Sequence, residues 1–378
     1  MRLEHPLAPH PFDHPFDLPS CFSRDYTEAR ARFRKAVADS GGALREYRNP
    51  NQGPDGEDLT ADTAWFGPTK ARKVLVLQAG THGVEGFTGS GAMLDWLRAG
   101  AARTLPSDLA ALLIHPINPY GFAWLRRVTE ENVDLNRNFI DFAQPLPENP
   151  GHDELADALV PRRLSGPEFE AAEAKIAAYR AQHGERAFSI ARGGGQYRHG
   201  HSMFFGGFGP TWARRTLESI IDGYDLPGRA QVAVIDYHTG LGPFGYGEPI
   251  CSHEAGSPGL ERAKRWYGQS VTEPAAGTSS SVPKVGLNEF GWEGRLRDGL
   301  TFIALEYGTY SQERGRRALR EDHWLHAYSN VDWSDPENQR IKRQIRDHFY
   351  PDTDDWREMV LFRSRQIVRQ ATHGLAAG

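Results

Sequence analysis

The sequence predicts an α/β protein built on a mixed, mostly parallel central sheet with helices on both faces. Two observations support this fold class: short apolar runs typical of buried parallel strands, and amphipathic helical segments that alternate with them. The apolar runs lie at residues 73–80, 110–117, 232–237 and 302–305. Helical periodicity marks residues 26–39, 88–99, 168–183, 211–222 and 257–268, and a turn-rich stretch spans residues 49–60.

We expect residues 1–378 to form a single domain, with its core at about 70–310. Residues 143–210 contain several prolines and a run of three glycines, and so long a connection indicates an insertion or an active-site lid rather than a second domain. Residues 311–378 read as a helical C-terminal layer. Trp356, Val360 and Ile367 share one helical face there, which predicts packing against the sheet.

Composition excludes several classes of protein. Lys and Arg total 44 against 49 Asp and Glu, a formal net charge of −5, which does not suit a nucleic-acid binder. The apolar runs are too short to cross a bilayer. The first twenty residues contain Pro6, Pro11, Pro15 and Pro19 and no apolar signal-peptide core, and only two cysteines are present. We therefore expect a soluble cytoplasmic enzyme that binds neither nucleic acid nor membrane; the oligomeric state stays open.

The strongest local signal directly follows the first apolar run. The sequence THGVEG at residues 81–86 places His82 and Glu85 three residues apart in a glycine-rich turn. A histidine nitrogen and a carboxylate oxygen are both zinc ligands. Taken alone, the triplet fits equally a turn-capping histidine beside a solvated glutamate.

Two further apolar runs end in residues that favour the zinc-binding interpretation of His82 and Glu85. The run VAVIDYH ends at His238, and TFIALE ends at Glu306. Ligands of open α/β sheets bind outside the carboxyl ends of the strands, so these residues are expected to meet. His82, Glu85 and His238 would supply three zinc ligands and leave the fourth position open, the catalytic arrangement. Glu306 would act as general base and then general acid in a hydrolysis.

A polar segment between these runs carries candidate substrate-binding residues. The sequence RRVTEENVDLNRNF contains Arg126, Arg127, Asn136 and Arg137. Arginine forks bind carboxylates bidentately, and an asparagine amide can donate beside them. A carboxylate anchor close to the metal is what an exopeptidase requires. The alternative is a surface loop whose arginines form ordinary ion pairs with the acidic residues of the same segment.

The ordered set HxxE, DLNRNF, strand-end His and strand-end Glu resembles the zinc carboxypeptidase superfamily, which includes carboxypeptidase A-like enzymes and the aspartoacylase and succinylglutamate desuccinylase branch. NPYGF at residues 118–122 is similar to a segment of that family, and THGVEGFTGS and DYHTGLGPFG resemble an uncharacterised bacterial branch of it. The resemblance covers about residues 70–310.

The resemblance implies a role for each matching residue. His82, Glu85 and His238 would bind one zinc ion per chain, and Glu306 would be the general base and acid. Asn136 and Arg137 would hold the terminal carboxylate of the substrate. Arg127 would polarise the scissile carbonyl, with Arg126 as its rival for that role.

The family also carries a mobile tyrosine upstream of the catalytic glutamate, whereas no tyrosine lies between Tyr267 and Tyr307 here. Tyr246 and Tyr310 are the candidates for its replacement. The expected function is a metallocarboxypeptidase-like hydrolysis of an amide bond next to a free carboxylate. A deacylase of N-acyl amino acids is the alternative enzyme, and an inactive binding protein is the alternative of another class.

Overall fold

A computed structural model describes residues 16–377 of the chain. The expectation of a cytoplasmic protein rests partly on four prolines among the first twenty residues. Three of them, Pro6, Pro11 and Pro15, lie outside the described residues. Within the described range, the sheet has seven strands in the order β1-β2-β4-β3-β5-β7-β6. The strands are β1 (Ala43–Gln52), β2 (Asp58–Phe66), β3 (Lys73–Gln78), β4 (Leu109–His115), β5 (Gln231–Phe244), β6 (Gly247–Ile250) and β7 (Leu300–Gly308).

The helices follow the predicted alternation with the strands. They are α1 (Leu18–Cys21), α2 (Tyr26–Asp39), α3 (Gly86–Arg98), α4 (Pro119–Ala123), α5 (Pro150–Leu159), α6 (Pro167–Gly193), α7 (Trp212–Gly223), α8 (Pro258–Tyr267), α9 (Asn288–Leu296), α10 (Gln312–Tyr328), α11 (Pro336–Phe349) and α12 (Asp354–Ala377). Among the described residues, no helix is long and apolar enough to span a membrane.

Four parallel strands form the centre of the sheet. β4, β3, β5 and β7 are parallel to one another, whereas β1 and β2 at one edge and β6 at the other pair antiparallel. Residues alternate between the two faces of a strand, and both faces of the central strands are buried. This arrangement confirms the predicted mixed, mostly parallel sheet.

Helices cover both faces of this sheet. On one face, Leu75, Leu77 and Ile235 pack in a core with side chains of α2, α3, α8 and α12. On the other face, Val74 and Val234 pack against α7 and α9. A third apolar cluster joins α5 and α6 to α10 and α11.

The C-terminal region is helical, as predicted, and α12 packs on the sheet. Trp356, Val360 and Ile367 are all fully buried in the core that includes β3 and β5. The indole N–H of Trp356 donates to the carbonyl of Gly308 at the end of β7, 2.9 Å away. This helix therefore supports the strand that carries Glu306.

The prediction of a turn-rich stretch at residues 49–60 was wrong at both ends. Residues up to Gln52 belong to β1, and β2 begins at Asp58, so the turn is confined to the residues between them. β1 is a polar edge strand whose side chains are mostly exposed, and it therefore lacks the alternating apolar pattern that would reveal it.

Candidate metal centre and active site

The carboxyl ends of β3, β5 and β7 meet around one cavity of about 500 Å³. His82 follows β3, His238 lies within β5, and Glu306 lies within β7; all three line this cavity. His238 and Glu306 are directly opposite each other in the parallel register of β5 and β7. The structure thus brings together the three strand ends that were predicted from the sequence to meet.

A close backbone approach shapes the turn that carries His82 and Glu85. A Cβ atom on Gly83 would lie only 2.0 Å from the carbonyl carbon of Gly121, so no larger residue fits without displacing the backbone. The Gly83 N–H donates to the carbonyl of Arg127 at 3.1 Å. The turn is therefore docked against the segment that carries Arg127, which places this arginine beside the candidate ligands.

Three ligand atoms converge in the buried group formed by His82, Glu85 and His238. The Nδ1 atoms of the two histidines lie 3.2 Å apart. Glu85 Oε1 is 2.9 Å from His82 Nδ1, and Glu85 Oε2 is 3.2 Å from His238 Nδ1. Tetrahedral zinc with bonds of about 2.0–2.2 Å holds its ligand atoms about 3.3–3.6 Å apart. The observed separations of 2.9–3.2 Å are slightly shorter than this range, so a small outward movement of the ligand atoms would admit the ion, and the three residue types are those of a zinc site.

Buried carboxylates contact the outer nitrogen of each histidine. His238 Nε2 is 2.7 Å from Asp236 Oδ2, and His82 Nε2 is 3.1 Å from Asp134 Oδ1. At His238, a proton held on Nε2 by Asp236 leaves Nδ1 free to bind a metal, which is the usual arrangement around metal-binding histidines. A carboxyl group must be deprotonated to bind a metal. Burial opposes the negative charge of Glu85, but His82 and His238 hold the pKa of its carboxyl below the usual range.

Arg127 bridges the candidate ligands and the cavity. Its Nη1 donates to Glu85 Oε1 at 2.9 Å, and its Nε donates to Asp134 Oδ2 at 3.0 Å. Its Nη2 lies 2.7 Å from His82 Nε2. The sequence left open that Arg127 forms only an ordinary ion pair on a surface loop. Its ion pair with Asp134 is instead buried and lies next to the candidate metal ligands. Arg127 also lines the cavity, so its guanidinium can reach a bound substrate.

Glu306 is buried and has few partners. Its Oε1 accepts the backbone N–H of Leu241 at 3.1 Å. Burial, followed by the neighbouring charge of Glu85, raises the pKa of the Glu306 carboxyl. A carboxyl group with a raised pKa beside a metal site can accept a proton and return it, as a general base and acid must.

The two predicted carboxylate-binding residues lie on the same cavity wall. Asn136 Oδ1 accepts the backbone N–H of Asn288 at 2.8 Å, which fixes its amide plane. Arg137 is fully buried; its Nη1 and Nη2 donate to the carbonyls of Asn136 and Gly193 at 2.7 and 2.6 Å. Its Nε has no hydrogen-bond partner in the described residues. Both residues line the cavity, as expected of a substrate anchor.

Arg126 points away from this cavity. Its Nε donates to buried Asp322 at 3.0 Å, and its Nη2 donates to Asn132 at 2.8 Å. Arg126 is not among the residues that line the cavity, whereas Arg127 is. The geometry therefore favours Arg127 in the choice that the sequence left open between the two.

Segments far from the strand ends complete the cavity. Ser189, Arg192 and Gly193 of α6 line it together with Met203 and Phe204, so part of the stretch predicted as an insertion or lid forms the cavity wall. Neither Tyr246 nor Tyr310 lines it, and Lys284 does. The side chains that surround the site therefore include a lysine from the interval between Tyr267 and Tyr307, which contains no tyrosine.

Sequence reasoning missed three polar residues of the site. Asp236 carried a usable signal, since a residue two positions before His238 in a strand points to the same face. Asp134 was considered only as an ion-pair partner, although it precedes the candidate Asn136 by two residues. Lys284 lies in a serine- and proline-rich segment and had no local pattern that could reveal it.

A second group of possible ligands, Cys251, His253 and Glu289, also lines the cavity. His253 Nε2 accepts the backbone N–H of Phe302 at 2.9 Å, and its Nδ1 bonds to Glu293. Burial raises the pKa of the Cys251 thiol, whereas a metal ligand must be a thiolate. The residues of this group are occupied by protein contacts or protonated, and they do not suit a metal ion.

Known structures share this architecture. A carboxypeptidase A from Helicoverpa armigera is similar over 95% of this chain and 75% of its own, with 14% identity and a TM-score of 0.51. Thrombin activatable fibrinolysis inhibitor (TAFI) matches over 90% and 78%, with 10% identity and a TM-score of 0.46. A succinylglutamate desuccinylase from Chromobacterium violaceum matches over 88% and 76%, with 14% identity and a TM-score of 0.36. The similarity to the carboxypeptidase A shows that the chain has a carboxypeptidase A-like fold.

Sequence comparison gives the family. No curated protein matches the chain. The model of the family described as "Protein of unknown function (DUF2817)" matches residues 22–363, which is most of the chain. The protein therefore belongs to the DUF2817 family.

Proposed function

We propose that the protein is a zinc-dependent hydrolase that cleaves an amide or peptide bond next to a free carboxylate. The observation that carries this proposal is the convergence of His82, Glu85 and His238 beside Glu306 at the strand ends. One zinc ion per chain would be held by the first three residues. When bound, zinc supplies a Lewis acid that polarises a carbonyl and lowers the pKa of water to about 7.

Each of the other site residues would have one role in the hydrolysis. Glu306 takes a proton from the attacking water and passes it to the departing amine, so the proton count is conserved. Arg127 donates a hydrogen bond to the oxyanion that develops on the scissile carbonyl. Asn136 and Arg137 hold the substrate carboxylate and so determine which bond lies beside Glu306.

The shape of the cavity suits a small substrate. Its volume of about 500 Å³ lies within the range of small-molecule sites, and residues of α6 and the segment around Phe204 form one wall. This enclosure supports the second candidate function, deacylation of N-acyl amino acids. Both reactions use the same residues, so the substrate panel must contain short N-acylated dipeptides and N-acyl amino acids side by side.

The first test combines metal analysis with two variants. Protein purified without added metal is expected to contain about one zinc per chain, which His82→Ala loses and Glu306→Gln keeps. Glu306→Gln should lose about 10²–10⁴-fold in turnover on whichever substrate the panel identifies. Glu130→Gln is the matched control, since Glu130 bonds to Asn49 outside the cavity.

Two results would contradict the proposal. A Glu306→Gln variant with full turnover would exclude Glu306 as the base. A protein that takes up no zinc and gains no thermal stability from it would favour an inactive binding protein, because a bound metal stabilises the folded state.

A further inference from the structure

The glycine run 193–195 adjoins or contacts the segments that carry three cationic residues of the cavity lining. Arg192 directly precedes the run, and Arg137 Nη2 donates to the carbonyl of Gly193 at 2.6 Å. On the other side, the N–H of Val285, the neighbour of Lys284, donates to the carbonyl of Gly194 at 3.3 Å. Arg137, Arg192 and Lys284 all line the cavity.

Only a glycine allows this close assembly at position 195. Gly195 has a φ of +111°, in the region that favours glycine. A Cβ atom there would lie 2.9 Å from Arg137 Cδ and 3.1 Å from Val285 Cγ2. The backbone of the run therefore fits tightly between Arg137 and the segment that carries Lys284.

None of the three cations has a carboxylate partner in the described part of the chain. The Nε atoms of Arg137 and Arg192 are buried and have no hydrogen-bond acceptor, and Lys284 donates to the hydroxyl of Ser281. Burial and neighbouring arginines lower the pKa of all three groups, that of Lys284 to about 8. Unpaired charges of this kind cost free energy unless a ligand compensates them.

The segment that carries Lys284 is anchored on both sides. Before it, Glu248 accepts the Ser279 hydroxyl at 2.8 Å and the Ser280 N–H at 3.1 Å. After it, the carbonyl of Gly286 accepts the N–H of Phe139 at 3.1 Å. Lys284 is thus held at the cavity rather than carried on a free loop, and its position is part of the folded site.

The acidic groups near these cations have other partners or tasks. Asp134 pairs with Arg127 at 3.0 Å. Glu313 and Glu173 pair with Arg316, one of the arginines close to Arg192. Glu306, whose charge acts on Lys284, is the candidate general base. None of these four carboxylates forms an ion pair with Arg137, Arg192 or Lys284, so the three cations can receive the carboxylates of a ligand.

We propose that Arg137, Arg192 and Lys284 form an anion-binding subsite that accepts a molecule with two carboxylates. One carboxylate lies against Arg137 and the other between Arg192 and Lys284. The assignment of this dianion to the leaving portion of the substrate rests on the proposed function, whereas the anion site itself does not. Under that function, the preferred substrates release an amine product with an acidic side chain.

Calorimetric titration of the zinc-treated protein with succinate and with acetate tests the subsite without requiring turnover. Wild-type protein should bind succinate at least about tenfold more tightly than acetate, since the second carboxylate adds a charge-assisted contact. Lys284→Met and Arg192→Met should each lose about tenfold or more for succinate and much less for acetate. Lys284→Arg should restore most of the succinate affinity, because it keeps the charge.

Exposed residues provide matched controls. Lys35→Met and Arg24→Met remove the same charges far from the cavity, where both side chains are mostly exposed, and should leave succinate binding unchanged. A circular dichroism spectrum checks that each variant is folded.

The outcomes separate this subsite from the proposed function. Equal succinate affinity in wild type, Lys284→Met and Arg192→Met would overturn the subsite, as would equal losses for succinate and acetate. The expected pattern in a protein that hydrolyses no amide would keep the subsite and reject the proposed function. Hydrolysis of neutral and acidic substrates at equal rates, with no selective succinate binding, would keep the proposed function and reject the subsite.

Discussion

Replacing Asp236 by Asn is expected to weaken zinc binding about 10–100-fold while leaving all three ligands in place. Asp236 is fully buried on β5 and accepts His238 Nε2 at 2.7 Å. It also accepts the Asn288 amide at 2.8 Å and the Thr81 hydroxyl at 2.8 Å. An asparagine has nearly the same shape, so the substitution mainly removes the negative charge behind the histidine.

The size of the effect follows from these contacts. A neutral amide oxygen is a weaker acceptor than a carboxylate, so the Nε2 proton is held less firmly and Nδ1 becomes a poorer ligand. The expected loss corresponds to about 1.4–2.7 kcal/mol of binding free energy at 1.36 kcal/mol per tenfold change. One former acceptor position now carries an NH₂ group opposite buried donors, which should cost about 1–3 kcal/mol in the free energy of unfolding of the metal-free protein.

Zinc affinity is measured by competition with a chromophoric chelator at neutral pH, and stability by urea unfolding of the metal-free protein. Asp95→Asn is the matched control, since Asp95 is also buried but pairs with Arg365 between α3 and α12. That control should lose stability and keep zinc affinity. A zinc affinity of Asp236→Asn equal to that of wild type, with His238→Ala unable to bind zinc, would refute the role assigned to Asp236.

Three further predictions concern cationic residues in or next to the site. Arg127→Met should lower kcat about 10²–10³-fold with a small change in KM, as expected for loss of an oxyanion donor. Arg126→Met should instead lower the free energy of unfolding by about 1–3 kcal/mol in urea. Its kcat per folded molecule should stay near normal, because Lys342 still pairs with Asp322. A large loss of kcat in Arg126→Met, but not in Arg127→Met, would show that Arg126 and not Arg127 is the oxyanion donor. Succinate affinity should fall as the pH rises through about 8, because Lys284 loses its charge there, and Lys284→Arg should abolish this decline in a calorimetric pH series. The charged groups that act on Lys284 are Arg137, Glu306, Arg127 and Asp134.

The parts of the fold that support the site were predictable from the sequence. The strands that lead to His82, His238 and Glu306 are almost entirely buried up to these residues, so each contains a short apolar run that stands out from its surroundings. Parallel strands present their carboxyl ends on one side, and this rule was sufficient to predict that the three residues meet.

The remaining parts lacked a local signal. β1 is polar and exposed because it lies at the edge of the sheet, and β6 has only four residues. Lys284 reaches the cavity through contacts between segments that are about ninety residues apart in sequence, such as the hydrogen bond from Val285 to Gly194. The orientation of Arg126 depends on Asp322, which comes from α10, and nothing in the RRVTEEN segment itself reveals this partner.

The register between β5 and β7 has a consequence for how this protein tolerates insertions and deletions. His238 and Glu306 face each other across one strand spacing, about 4.8 Å in a parallel pair, so backbone hydrogen bonds set the separation between ligand and base. A one-residue deletion inside β7 would turn Glu306 to the opposite face of the sheet. Length changes after Gly193 or around Lys284 would leave that separation intact and alter only the wall that contacts the substrate. Homologues and designed libraries can therefore vary recognition by changing loop lengths, while the chemical centre requires the register between β5 and β7 to stay unchanged.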